Sequence, residues 1–179
     1  MTDTRRIILA ATCLLLPACS TNQPTAPSSM ALVDPSGAAM SQTVQSRPFG
    51  GHCDTDITIL PPLPGDPANL LRLHIECICQ LQHLGRTTAI AEQTVTFTGP
   101  TTAIASNTTT YTAANGDQVF ATWNGTSVSD GPLVTFSGPE RYVGGTGRFS
   151  GATGSSEITG TASFVTNTGQ FTSAGTLTY

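Results

Sequence analysis

The sequence contains no lysine, and only 10% of its residues are charged. A chain so poor in positive charge lacks the basic surface that nucleic-acid binding requires, so we expect no nucleic-acid partner. Without lysine it also cannot supply the phosphate-binding side chain of a P-loop. Helix formers are sparse and no helical period of useful length occurs, which argues against a parallel sheet with crossover helices.

What the sequence has instead is a series of alternating stretches separated by turn signals. They predict eight strands, at residues 55–60, 69–83, 87–98, 107–114, 118–128, 133–138, 155–166 and 170–179. Short turns favour antiparallel neighbours, and eight strands suffice to close an up-and-down barrel without free edges. The predicted fold is therefore all-β, an eight-stranded antiparallel barrel.

The direction of individual side chains follows from the alternation in some strands only. In the second strand the odd positions from Leu71 to Leu81 are apolar, which predicts that they face the core. The "NG" turn leaves the next register open, because Tyr111 could pair with Phe120 or with Ala121. The direction of Trp123 is open for the same reason.

The N-terminus reads as a secretory leader over residues 1–18, with Arg5 and Arg6 before an apolar run too short to span a bilayer. The stretch "LPACS" resembles the lipobox of bacterial lipoproteins, which implies lipidation of Cys19. Plain signal cleavage and an uncleaved anchor are the alternatives.

Residues 19–48 are rich in Ser, Thr and Pro and read as a disordered tether, followed by a barrel domain at 49–179. We expect an exported protein of the cell envelope whose N-terminal lipid binds the membrane. In an organism with two membranes, the lipoprotein resemblance implies the outer membrane, facing the periplasm.

Three cysteines remain once the leader is removed and Cys19 is lipidated: Cys53, Cys77 and Cys79. Cys77 and Cys79 share one face of a strand at a spacing that disfavours a bridge between them. We expect Cys53 to pair with one of them in an oxidising compartment, and the third to be buried. No spacing supports a metal site, and we expect no metal and no cofactor.

The glycine cluster at residues 144–154 does not fit the GxGxxG spacing, and the next stretch alternates instead of opening a helix. A dinucleotide site needs a helix N-terminus, so we interpret Gly144, Gly145, Gly147 and Phe149 as a structural corner of the barrel.

The same cluster carries a family resemblance. "VGGTGRF" at 143–149 is similar to the GGTGxF signature of plant dirigent proteins, and "GGTGRFSGATGS" resembles bacterial relatives in the allene oxide cyclase barrel group. "HLGR" at 83–86 and "TAANGDQVFAT" at 112–122 also look like those proteins. The resemblance covers residues 70–179 and implies an eight-stranded barrel with a mostly apolar cavity; it also implies association through the outer walls, so a homo-oligomer is an expected partner.

Six residues are candidates for contacting a ligand: His83, Glu92, Phe97, Tyr111, Phe164 and Phe171. The histidine is a candidate acid or base and the glutamate a candidate partner for a polar group, although a structural role and an outward position are the stronger interpretations. The aromatic residues could line a pocket or fill the barrel.

The leading functional hypothesis is a lipid-anchored envelope protein whose barrel binds or shields a small apolar molecule. An isomerase or cyclase acting in the same cavity is the first alternative, and an oligomeric structural protein with a filled barrel is the second. The sequence shows no catalytic motif, so we favour a protein that is not an enzyme.

Overall fold

The computed structural model describes residues 45–179, which form a closed barrel of eight strands. The predicted all-β fold and eight-stranded antiparallel barrel are confirmed. The predicted leader, tether and lipidated Cys19 lie wholly or almost wholly outside the described residues. The strands are β1 (Ser46–Leu60), β2 (Leu70–Leu81), β3 (Gly85–Phe97), β4 (Thr102–Ala113), β5 (Gln118–Asp130), β6 (Leu133–Gly145), β7 (Thr153–Ser163) and β8 (Thr168–Thr178).

Every strand pairs antiparallel with its sequence neighbour, and β8 pairs with β1 to close the barrel. Closure places Cys53 of β1 opposite Phe171 of β8 and, on its other side, opposite Cys79 of β2. Both long sides of every strand are therefore hydrogen-bonded, which leaves no exposed edge within the described part of the chain.

The barrel has two unlike ends. At the closed end, the β2–β3 and β4–β5 turns meet a short 3₁₀ helix at Gly147–Phe149. At the other end, which we call the mouth, lie the β1–β2, β3–β4, β5–β6 and β7–β8 connections. This division decides where an interior cavity can open.

The core occupies the interior face of the strands. In β2 the odd positions Leu73, Cys77, Cys79 and Leu81 are buried, and Leu71 and Ile75 are half-buried against the core, which confirms the predicted core face. Because successive side chains of a strand point to opposite faces, the even positions of β2 are left on the outer wall.

The first strand begins at Ser46, well before the predicted start and inside the segment that we expected to be a tether. Its Gly50 and Gly51 resemble breakers in sequence, yet both sit in the sheet. A Cβ on Gly50 would collide with the backbone oxygen of Ser173, and one on Gly51 with that of Gln80. These glycines permit close strand approach instead of ending the strand.

The sixth strand continues to Gly145, beyond the predicted end at residue 138. Proline normally interrupts a strand because it has no N–H. Here Pro139 lies where the β5–β6 ladder is interrupted, between the pair Trp123 with Glu140 and the pair Thr126 with Ser137. Because the β5–β6 pairing is interrupted at this point, the absent N–H group of Pro139 costs that pairing no hydrogen bond. The strand β6 therefore continues to the closed end of the barrel.

The β4–β5 hairpin differs from both predicted registers, because Tyr111 pairs with Val119. The turn leaves three residues between Ala113 and Asp117, and Gly116 takes a positive φ of 89°. A two-residue turn would pair Tyr111 with Phe120, so the three-residue turn shifts the register of β5 by one residue. In this register the odd-numbered residues of β5 pair with the odd-numbered residues of β4, which include the buried Tyr111. Trp123 therefore lies on the interior face, where it is buried.

The glycine cluster forms the corner between β6 and β7. Gly147 has a φ of 56°, and a Cβ there would collide with the carboxylate of Asp117. The backbone N–H of Gln118 donates to Thr146 Oγ1 over 3.0 Å, which ties the corner to the β4–β5 hairpin. The corner turns Phe149 into the barrel, where it is completely buried.

Candidate functional site

The barrel interior contains a cavity of about 100 Å³ in its mouth half. Side chains from all eight strands line it, and most are apolar. They include Ile57, Leu73, Ala91, Val95, Ala103, Ala105, Trp123, Val134, Phe136, Ile158 and Phe171. Phe97 and Phe164 lie at its outer limit, at the mouth ends of β3 and β7.

The closed half of the barrel is filled. The rings of Phe49 and Tyr142 meet edge to face at 5.0 Å, and those of Phe149 and Tyr179 at 4.8 Å. Interdigitated aromatic rings at these separations leave no room for a ligand between them. We infer that a molecule could enter only from the mouth.

The floor of the cavity is polar and centres on Glu140, whose side chain is almost wholly buried. Tyr111 donates a 2.7 Å hydrogen bond to Glu140 Oε1, and Ser156 donates a 3.0 Å hydrogen bond to Glu140 Oε2. Tyr142 in turn donates to Ser156 over 2.9 Å. Hydroxyl groups of β4 and β7 thus bond one carboxyl group directly, and the hydroxyl group of Tyr142 on β6 reaches it through Ser156.

Burial raises the pKa of Glu140, because removing a carboxylate from water disfavours its charged form. The neighbouring hydroxyl groups of Tyr111, Tyr142 and Ser156 lower the pKa of Glu140 but do not cancel the effect of burial. Burial likewise raises the pKa values of Tyr111 and Tyr142. The floor therefore holds an acid whose protonation equilibrium is moved toward neutral pH, beside hydroxyl groups that stay protonated.

Trp123 forms part of the cavity wall next to this floor. Its Nε1 donates a 2.9 Å hydrogen bond to the carbonyl oxygen of Gly138, so the indole has a buried polar partner. A Cβ on Gly125 would collide with the indole ring. The glycine in β5 is thus required for the ring to lie flat along its own strand.

The mouth is rimmed by apolar side chains. Leu63, Phe97, Leu133 and Val165 are all exposed there, on four different connections or strand ends. An apolar rim around an apolar cavity lowers the cost of bringing an apolar molecule from the surface to the interior.

The predicted ligand contacts divide into two groups. Phe97, Tyr111, Phe164 and Phe171 all line the cavity. Glu92 does not, because it lies on the outer wall and accepts a 2.6 Å hydrogen bond from His74 Nδ1. This outward position is the stronger of the two interpretations that the sequence left open for Glu92, and Ile90 of the same strand also lies exposed on the outer face.

His83 is also outside the cavity, at the opposite end of the barrel. It occupies the β2–β3 turn with a φ of 65°, and its Nε2 donates to the carbonyl oxygen of Pro48 over 3.0 Å. Arg148 donates a 2.6 Å hydrogen bond to the carbonyl oxygen of His83 itself. The residue ties the turn to β1 and to the glycine corner, a structural role.

The cysteines adopt one of the predicted arrangements. Cys53 and Cys79, opposite each other on β1 and β2, form a disulfide. Cys77 is a buried free thiol that lines the cavity, and burial raises its pKa to about 12. A thiol with so high a pKa is a poor nucleophile at neutral pH, so we assign it a packing role.

Sequence reasoning missed the most chemically active member of the site. Glu140 follows "GP", where the predicted strand ends, so the strand alternation was not extended to it. Gln93 and Asn107, which also line the cavity, were missed because both are polar residues within alternating stretches. The usable signal is the spacing of two residues between Glu140 and the aromatic Tyr142, because residues two apart in a strand lie on the same face.

Within residues 45–179, no helix is long and apolar enough to cross a membrane, and no group of three or more His, Cys, Asp or Glu could hold a metal ion. Comparison with protein families, with curated proteins and with solved structures gave no match. The function must therefore be argued from the cavity itself.

Proposed function

We propose that the barrel binds or shields a small apolar molecule in its interior cavity. The observation that carries this proposal is the apolar, mouth-facing cavity beside a closed half that is packed with aromatic rings. An engineered apolar cavity of ~150 Å³ can hold benzene, so a cavity of about 100 Å³ suits a small molecule or one end of a longer one.

The lining has the composition expected of a ligand site. Such sites are mostly apolar and aromatic, with a few polar groups that fix the orientation of the ligand. Here the walls supply Trp123, Phe136 and Phe171, and the floor supplies Glu140 and Tyr111. A ligand would place its apolar part toward the mouth and a polar group against the floor.

We further propose that the chain is exported and held at the cell envelope by a lipid on Cys19. The leader and the lipobox-like stretch support this, although both lie outside the described residues. The Cys53–Cys79 disulfide supports export independently, because structural disulfides persist in oxidising compartments and are rare in the cytosol.

The chain contains a single tryptophan, and it lines the cavity, so its fluorescence reports on occupancy. Heavy bromine atoms quench indole emission on contact. We expect 6-bromohexan-1-ol to quench Trp123 in the purified full chain with saturation, and 1-hexanol to reverse the quenching by competition.

A matched pair of variants separates cavity binding from surface binding. Ala105→Leu adds side-chain volume inside the cavity, and Ala174→Leu adds the same volume on the outer wall. We expect only Ala105→Leu to abolish saturable quenching. Absence of saturable quenching in the wild type would sink the binding hypothesis and favour the filled, structural barrel.

A second function is favoured by the floor specifically. Glu140 and Tyr111 could move a proton at a bound molecule, which is the chemistry an isomerase or cyclase needs and which the family resemblance implies. Mass spectrometry and NMR of small molecules that copurify with wild type and with Glu140→Gln would distinguish the roles. An enzyme would accumulate different isomers in the two proteins, whereas a binding protein would yield the same compound.

A further inference from the structure

Among the described residues, the cavity lining carries one carboxyl group and no basic side chain. Among the described residues that line the cavity, Glu140 is the only carboxyl group, and none is Arg, His or Lys. Among residues 45–179, Glu140 is also the only Asp, Glu, His or Arg that is buried. A ligand that brought a positive charge would meet its only interior counter-charge here.

The carboxyl group of Glu140 still has hydrogen-bonding capacity. An ionised carboxylate offers about four lone-pair sites, and two of them are used by the hydroxyl groups of Tyr111 and Ser156. Since Glu140 lines the cavity, a donor on a ligand could use what remains. An N–H group of an ammonium ion would form a charge-assisted hydrogen bond, which is about twice as strong as a neutral one.

The walls around the floor suit a cation as well. Tyr111 and Trp123 line the cavity beside Glu140, Phe136 and Phe171 line it further toward the mouth, and the rings of Trp123 and Phe136 meet edge to face at 6.0 Å. The faces of aromatic rings attract cations, and most strongly when the cation is desolvated. The negative faces of these rings repel anions.

We propose that the ligand of this cavity is an amine: a small apolar molecule with a basic nitrogen, bound as an ammonium ion against the Glu140 carboxylate. The inference rests on the proposed binding function and names the class of ligand. Molecules with an apolar tail and a carboxylate, such as fatty acids, are disfavoured while Glu140 is ionised, because two negative charges would then be buried side by side with no cation between them.

The proposal has a pH dependence that follows from charge pairing. The other titratable groups that face Glu140 are Cys77 on β2, Tyr111 on β4 and Tyr142 on β6, and all three stay neutral below about pH 9 because burial raises their pKa values. Glu140 is thus the one group that changes charge. Affinity for an amine should rise with pH as Glu140 ionises, and fall again above about pH 10, where alkylamines lose their proton.

Calorimetric titration of the full chain with three probes of equal chain length tests this: 1-hexylamine, 1-hexanol and hexanoate. At a slightly alkaline pH we expect hexylamine to bind at least about tenfold more tightly than hexanol, since hydrogen bonds to charged groups exceed neutral ones by roughly that factor. Hexanoate should not bind.

Variants locate the effect. Glu140→Gln keeps the size of the side chain and removes its charge, so the preference for hexylamine over hexanol should disappear while hexanol binding persists. Glu157→Gln, an exposed outer-wall change, should leave the preference intact and so control for attraction to a chain of net charge −4. Ala105→Leu should prevent binding of hexylamine and hexanol alike.

The outcomes separate the two proposals. If hexanol binds but hexylamine binds no better, or hexanoate binds as well, the amine proposal is overturned and the binding function stands. If none of the three probes binds to the wild type, the binding function fails and the amine proposal with it. The wild-type series decides these questions even if Glu140→Gln does not fold.

Discussion

Tyr111 and Glu140 are joined by a 2.7 Å hydrogen bond across the barrel interior, although 29 residues separate them in the chain. The bond joins β4 to β6, two strands that are not neighbours in the sheet. It therefore spans the hollow of the barrel instead of following its wall, and it sets the level at which the cavity ends.

Tyr111→Phe should destabilise the barrel. The change leaves Glu140 Oε1 without its hydroxyl donor in a buried site, which costs about 1–3 kcal/mol. Urea denaturation of the two proteins measures this. Tyr179→Phe serves as the control, because its hydroxyl makes no hydrogen bond among residues 45–179 that the structure shows. Equal losses in both variants would contradict a specific role for the Tyr111 bond.

Glu140→Gln should change the pH dependence of stability. The pKa of Glu140 is raised in the folded state, so its favourable contribution is complete below the ordinary carboxyl pKa and is lost as the pH rises through the raised value. The variant should therefore gain stability relative to wild type as the pH increases. Thermal melts at intervals from about pH 4 to about pH 8 test this. A difference between the two proteins that stays constant with pH would show that Glu140 titrates normally.

Gly147→Ala should destabilise the corner, because the position combines a positive φ with a clash against the Asp117 carboxylate. Strain of this kind costs about 1–3 kcal/mol. Gly151→Ala is the matched control, since its φ is also positive but a Cβ there meets nothing within 4 Å. We expect the loss of melting temperature to be larger for Gly147→Ala.

The same melts should be repeated with ATP and with NAD. Neither nucleotide should change the melting temperature of either protein, because the corner forms a 3₁₀ turn that buries Phe149 and presents no helix N-terminus of useful length. A nucleotide-induced rise in the wild type, lost in Gly147→Ala without loss of stability, would contradict the corner assignment.

Cys77 should resist alkylation in the folded protein. Raising its pKa from 9.0 to about 12 lowers the thiolate fraction at neutral pH about a thousandfold. Peptide mapping after iodoacetamide treatment should find Cys77 unmodified in the native chain and modified after unfolding. Cys53 and Cys79 should react only after reduction and unfolding. Rapid labelling of native Cys77 would mean that the cavity opens far wider than the structure shows.

Cys19→Ala should release the chain from the membrane fraction. If Cys19 carries the lipid, its replacement removes both the modification and the anchor, whereas the barrel should fold unchanged. Mass spectrometry of the mature N-terminus reads the modification directly. A wild-type N-terminus that begins at another residue and carries no lipid would refute the lipoprotein hypothesis.

Much of the fold could be predicted because strand alternation is a local property. The apolar odd positions of β2 identify its core face without any knowledge of its neighbours. Errors arose where glycine or proline sits inside a strand, as at Gly50 and Pro139. Such residues break isolated strands, and only the spacing of the neighbouring strands shows that they are tolerated.

The site was predicted less well than the fold, and the aromatic residues fared better than the polar ones. Phe164 and Phe171 line the cavity and Phe97 lines its exposed rim, because burying large aromatic side chains away from water is favourable wherever the strand alternation allows it. No such drive places Glu140 inside or Glu92 outside. The direction of these two carboxylates depends on whether each residue falls at an inward or an outward position of its strand. That position is set by the geometry of the preceding turn and by the register of the whole barrel.

The amino-acid sequence by itself determined an all-β chain of short-turned antiparallel strands, because period-two alternation and turn residues act over a few neighbours. Only the tertiary structure decided what the barrel encloses. Glu140 meets Tyr111 and Ser156 because closure brings β4, β6 and β7 around one axis, and the register of each pair sets the depth of every side chain along it. That depth is a property of all eight strands together, so no single stretch of sequence can specify it.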